Sequence, residues 1–164
     1  MRRRAALACL ALLAGCATPG RDARLRPGAS TEADVVALYG APKRVWPEAD
    51  GGRTLEYSSQ PLGQHCWMVR LAADGRLRGV EDTLAPAGRA RVVPGMTPEQ
   101  VSRLLGAERS RVFYRLSGEE VWDWTIAPDG SDYGMRFNVH FKDGAVLRAS
   151  QSMVFPNRRF PGLD

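Results

Sequence analysis

Two histidines, one internal cysteine and two pairs of adjacent acids are the residues of this 164-residue chain whose types could move protons or attack a carbonyl. His65 stands beside Cys66, and an imidazole next to a thiol can make an activated nucleophile. On extended backbone, however, neighbouring side chains point to opposite faces. His65 and Cys66 are therefore expected not to pair, and Cys66 reads as an ordinary strand residue. By the same geometry Glu81-Asp82 and Glu119-Glu120 diverge, and read as solvated positions rather than acid/base pairs. His140 falls on the polar face of a strand with no serine or cysteine motif around it, and Asp50-Gly51-Gly52 has no phosphate-loop pattern. A triad can assemble from residues distant in sequence, but nothing in the spacing points to one. The expectation is a protein that is not an enzyme, with no metal, no cofactor and no small-molecule substrate.

Cysteine placement turns attention to the start of the chain. Arg2, Arg3 and Arg4 precede a short apolar run over 5–14, closed by Gly15 and Cys16. The run is too short for a membrane span, which takes roughly 20 apolar residues. Basic, then apolar, then small is the layout of a secretory signal. Leu13-Ala14-Gly15-Cys16 resembles the lipobox of bacterial lipoproteins. That resemblance implies cleavage between Gly15 and Cys16, lipid on Cys16 and, since Ala17 rather than an acid follows, residence on the periplasmic face of the outer membrane. Cys9 would leave with the signal, and Cys66 would have no intrachain partner, so no disulfide framework is expected.

The charge follows the same division. The whole chain has 23 basic and 18 acidic side chains, a net +5. Three of the arginines lie in residues 1–15, which hold no acid, so the rest carries 20 against 18, or +2. A small net charge on a mixed surface, without a basic stripe, argues against nucleic acid as a partner.

Behind the leader the chain states one pattern twice. Pro27-Gly28 matches Pro94-Gly95, and the run from Thr31 to Gly40 matches the run from Thr97 to Gly106. Leu55-Glu56-Tyr57-Ser58 matches Trp122-Asp123-Trp124-Thr125. Trp67-Met68-Val69-Arg70-Leu71 matches Phe137-Asn138-Val139-His140-Phe141, and Asp74-Gly75 matches Asp143-Gly144. The offset drifts only between 66 and 70, as a tandem duplication would leave it. In each copy a threonine cap, an apolar stripe (Val35, Leu38 and Tyr39; Val101, Leu104 and Leu105) and a closing glycine predict a short helix. Period-two runs joined by Gly-containing turns predict about four strands after each helix.

The predicted fold is α+β: two tandem units, each a short helix packed on one face of an antiparallel sheet of about four strands. The expected division is 1–15 signal peptide, 16–24 lipidated tether, 25–84 first repeat, 85–91 linker, 92–154 second repeat and 155–164 a proline- and arginine-containing tail.

Pro94-Gly95-Met96-Thr97 with Val101 and Leu105-Gly106, then aromatic strands and a Phe-x-Asp-Gly turn, resembles the SmpA/OmlA family of outer-membrane lipoproteins. That resemblance implies an accessory or structural part in β-barrel assembly. The tandem arrangement is also similar to β-lactamase inhibitory proteins, which implies a binding or inhibitory protein for a periplasmic enzyme. Both readings make the chain a lipid-anchored protein-binding module with a partner in the cell envelope. Strand phase places Glu56, Met68, Arg70, Asp123, Asn138 and His140 on outward faces, and Trp46-Pro47 suggests a sheet edge. These residues are the expected partner contacts.

Overall fold

The protein was analysed as a computed structural model, which describes residues 24–128, 130 and 133–155. Gly15, Cys16, the signal, most of the tether and nearly all of the tail lie outside the described residues.

Each repeat opens on a threonine. Helix α1 (Glu32–Tyr39) is started by Thr31, whose hydroxyl accepts the Asp34 amide while the Asp34 carboxylate accepts the Thr31 amide. This capping box satisfies amides that the first helical turn leaves without partners. Strands β1 (Arg44–Pro47), β2 (Arg53–Ser58), β3 (Cys66–Leu71) and β4 (Leu77–Asp82) follow as an antiparallel meander in that order. The expected linker contains a single helical turn, α2 (Pro86–Arg89), started by a proline at its first position. The second repeat then runs through α3 (Pro98–Leu105), β5 (Ser110–Tyr114), β6 (Glu119–Ile126), β7 (Gly134–Lys142) and β8 (Ala145–Val154). Thr97 and Gln100 form the second capping box, and β5 to β8 form a second four-stranded antiparallel meander. The architecture is α+β, with two tandem helix-on-sheet units.

The inner faces follow the hydrophobic phase. Val35 of α1 packs on Leu55, Val69, Leu71 and Leu77 of the first sheet. Val101 and Leu105 of α3 pack on Trp122, Trp124, Ile126, Phe137, Val139 and Phe141 of the second. The reverse face of the first sheet departs from expectation. Glu56 is 0% exposed and Met68 3% exposed, although strand phase assigned both to an outward surface. The reason is that the second repeat lies across that face: Cys66 and Met68 belong to the same apolar cluster as Val101, Leu105 and the tryptophans. The layers therefore run α1, first sheet, α3, second sheet, and α3 is covered on two sides.

Polar groups at this junction are matched one by one, as buried polar groups must be. Glu56 Oε1 accepts the Ala107 amide at 2.8 Å, and its Oε2 accepts the Trp46 indole N–H at 3.0 Å. The Gln60 side-chain amide donates to the Thr125 carbonyl at 2.7 Å and accepts the Thr125 amide at 3.0 Å. It thus pairs with β6 as a short piece of strand would. Gly106, with φ 75°, ends α3 directly over Cys66; a Cβ there would lie 2.4 Å from its sulfur.

Candidate functional site

Placement of the expected contacts divides them. Trp46 sits on the edge strand of the first sheet, and Arg103 covers its ring. The guanidinium of Arg103, from α3, lies 5.1 Å from the Trp46 ring centre and donates to the Pro47 carbonyl at 3.2 Å. Glu56 and Met68 are inside the junction. Arg70 is exposed and paired with Glu81 at 3.1 Å. Asp123 is also withdrawn, at 7% exposed. It is clamped by Arg109 at 2.5 and 3.0 Å and by Arg136 at 3.5 Å, and it accepts the Ser110 hydroxyl. Asn138 and His140 keep the predicted position on the outer face of the second sheet, and both are half-buried. Of the seven expected contacts, Glu56, Met68 and Asp123 are corrected to buried positions. The first two are covered by the second repeat, the third by its own arginines.

Among the described residues, the outer face of the second sheet is covered by no other layer. Cross-strand register lines up Ser110 with Asp123, Val112 with Val121, Asp123 with Asn138, Val121 with His140, Asn138 with Ser150 and His140 with Arg148. A shallow depression of about 440 Å³ there is lined by Tyr114, Glu119, His140, Arg148, Ser150 and Ser152, among others. At its side, β5 is one of the two edge strands of the sheet. Val112, Phe113 and Tyr114 are 45, 63 and 53% exposed, and Leu116 in the following turn is fully exposed. Large apolar side chains on an open edge, beside unpaired backbone donors and acceptors, are what natural sheets usually avoid.

The chemistry-bearing residues also fall differently from expectation in one place. His65 and Cys66 do point apart: His65 is exposed with Nδ1 2.6 Å from Asp82, while Cys66 is fully buried. Burial, and then the Glu56 carboxylate, push the Cys66 thiol up to about 12, so it stays protonated and inert. Glu81 and Asp82 diverge, Glu81 to Arg70 and Arg91, Asp82 to His65. His140, by contrast, is not isolated. Its Nδ1 lies 2.8 Å from Glu119 Oε2, and its Nε2 lies 3.0 Å from both Ser150 Oγ and Arg148 Nη1. Arg148 also donates to Glu119 at 3.1 Å. The bonded imidazole, more than any other neighbour, holds the Glu119 carboxyl below the usual range. Arg148 and Ser150 were missed, and Glu119 was read only as a solvated acid, because β6 and β8 reach His140 from either side of β7. The signal was the Lys142-Asp143-Gly144 turn, which sets the register that places Arg148 and Ser150 beside His140.

Among the described residues, no group of histidines, cysteines and acids is arranged to hold a metal, and no helix is long and apolar enough to cross a membrane.

No family model and no curated protein matches this chain. Among solved structures, it is similar to one from Streptococcus mutans described as a candidate beta-lactamase inhibitor protein. That likeness has 12% identity, covers 75% of this chain and 82% of the other, and has a TM-score of 0.32. It is likewise similar to a DUF4309 family protein (YjgB) from Bacillus subtilis, at 17% identity, covering 83% of this chain and 86% of the other, with a TM-score of 0.31.

Proposed function

We propose that this chain is a lipid-anchored protein-binding module of the bacterial envelope, and that it engages its partner through the β5 edge and the adjoining outer face of the second sheet. The exposed edge carries this reading. Val112, Phe113 and Tyr114 present apolar surface on both sides of a strand whose outer hydrogen-bonding groups face solvent. An extended segment of a partner can add to such an edge, the backbone supplying affinity and alternate side chains selectivity. On the matching edge of the first sheet, Arg103 takes the Pro47 carbonyl and covers Trp46, and Pro47 has no amide to donate. The anchor rests on Leu13-Ala14-Gly15-Cys16, and the outer-membrane placement on Ala17.

The experiment is photocrosslinking in intact cells from position 113, with position 45 on the β1 edge as the comparison. A discrete protein adduct at 113 and none at 45 supports the reading; equal patterns from both positions sink it. The identity of the adduct then separates the two partner classes. A component of the barrel-assembly machine would make the chain an accessory of that process, and a soluble periplasmic enzyme would make it a binding or inhibitory protein. Loss of radiolabelled fatty acid on Cys16→Ala tests the anchor independently.

A further inference from the structure

We propose that Ser150 is a nucleophile, with His140 as its general base, and that the depression on the outer face of the second sheet accepts small acyl esters. Three observations lead there. First, nucleophile, base and orienting acid stand in one hydrogen-bonded line: Ser150 Oγ to His140 Nε2 at 3.0 Å, and His140 Nδ1 to Glu119 Oε2 at 2.8 Å. Both distances are within the reach that such a relay requires. Second, the tautomer is set by Arg148. An arginine only donates, and its Nη1 is 3.0 Å from Nε2. Nε2 must therefore carry the lone pair, which leaves the proton on Nδ1, facing Glu119. That is the form in which Nε2, once the Arg148 guanidinium turns away from it, can take a proton from a serine. Third, the group lines an open depression with an exposed guanidinium beside the serine. An accessible donor there can turn toward negative charge developing on a carbonyl oxygen.

The step balances within these groups and water. Ser150 Oγ bonds to the ester carbonyl carbon while its proton passes to His140 Nε2, and the carbonyl π pair moves onto oxygen, beside Arg148. The tetrahedral adduct collapses, the C–O bond to the alcohol breaks, and His140 returns the proton to the leaving oxygen. Water then attacks the acyl-serine, gives its proton to the same Nε2, and releases the acid as Ser150 recovers its own. Glu119 touches neither substrate nor reacting atom. It is a positioning residue that holds the ring and offsets the charge the imidazolium gains. The charged or titratable groups facing His140 are Glu119 on β6, Arg148 on β8, Lys142 on its own strand and Tyr114, which lines the same depression from β5.

The test treats the folded protein with a fluorophosphonate probe, maps the adduct by mass spectrometry, and follows hydrolysis of p-nitrophenyl acetate. Labelling is expected on Ser150 of the folded protein and absent in Ser150→Ala. His140→Gln should slow labelling by about 10² to 10⁴-fold, the usual size of a general-base contribution. The rate of the unmodified protein should depend on pH, and Glu119→Gln should lower that rate and move the profile. No adduct at Ser150, equal labelling in folded and heat-denatured protein, or a flat pH profile would each overturn the proposal and leave the cluster as a polar brace between strands. The pH profile needs no variant, so the question is answered even if His140→Gln fails to fold.

Discussion

The two repeats share a strand pattern and differ in what lies behind the sheet. By register, Glu56 and Met68 of the first correspond to Asp123 and Asn138 of the second, and Ser58 and Cys66 correspond to Thr125 and Arg136. In the first repeat these positions are sealed under α3. Cys66 and Met68 join the larger core, and Glu56 is spent on two donors that the junction would otherwise leave without acceptors. In the second repeat the same face is open, and an arginine and an asparagine stand where the cysteine and methionine stood. The helices differ in the same sense. Only Val35 of α1 is buried, while α3, between two sheets, buries Val101, Ser102 and Leu105. The same face is thus an interior in the first repeat and, among the described residues, an uncovered surface in the second.

The strongest way to break this contrast is at the closing glycines. Gly40 and Gly106 adopt nearly the same backbone, with φ of 83° and 75°. A Cβ at Gly40 meets nothing, whereas one at Gly106 meets Cys66 and the Glu56 carboxylate. Gly40→Ala should cost about 1–2 kcal/mol of backbone strain. Gly106→Ala should add overpacking of about 1–3 kcal/mol to the same strain. Denaturant unfolding of both variants measures the difference, and equal losses would mean that the two repeats do not press together there.

Next in size is the acid pair. Glu56→Ala removes the acceptor of a buried amide and of an indole N–H, and an unsatisfied buried donor costs about 1–3 kcal/mol. Asp123→Ala frees Arg109 and Arg136, which can turn to solvent, so a loss of about 1 kcal/mol is expected. The order Glu56 above Asp123, read from urea midpoints, sharpens the comparison; the reverse order would contradict it.

A smaller effect separates the two helix caps by pH. The Thr31 amide and hydroxyl hold the Asp34 carboxyl below its ordinary value. A depressed carboxylate stabilises the fold at pH above its unfolded pKa, and that contribution disappears as pH falls through the folded value. The cap of α1 should therefore loosen in acid. The cap of α3 uses Gln100, which does not titrate, and should not. Amide exchange in the first turns of α1 and α3, compared at neutral and acid pH, reads this directly, and Asp34→Asn should remove the difference.

The smallest expected effect is on stability at the free edges. Val112→Asp on β5 and Val45→Asp on β1 should each change the unfolding free energy by no more than about 0.5 kcal/mol, as exposed substitutions do. Only the β5 variant should lose the crosslinked partner.

Much of the fold was legible because its signals are local. Thr31 and Thr97 mark helix starts, Gly40 and Gly106 mark the ends, and Asp74-Gly75 and Asp143-Gly144 mark hairpins; each is an element boundary in the structure. The tryptophans of β6 fall inward, as strand phase required. What could not be read was the fate of each outward face. Period two says which residues share a surface, and it does not say what covers that surface. Glu56 looks solvated in sequence because a carboxylate normally is, and its burial depends on an amide 51 residues away at Ala107. His140 looked alone for a related reason. Glu119 and Ser150 reach it across hairpins, and only the β6–β7–β8 register brings them together.

The layering of α1, sheet, α3, sheet has a consequence for growth. A third repeat could lay its helix on the second sheet just as α3 lies on the first, and nothing in the topology forbids continuing. Side-chain chemistry disfavours it on this face, because the positions that receive α3 as Cys66 and Met68 return as Arg136 and Asn138. Restoring the apolar pair there would be expected to invite another copy onto the face, and a contact repeated in that way is the first link of a filament.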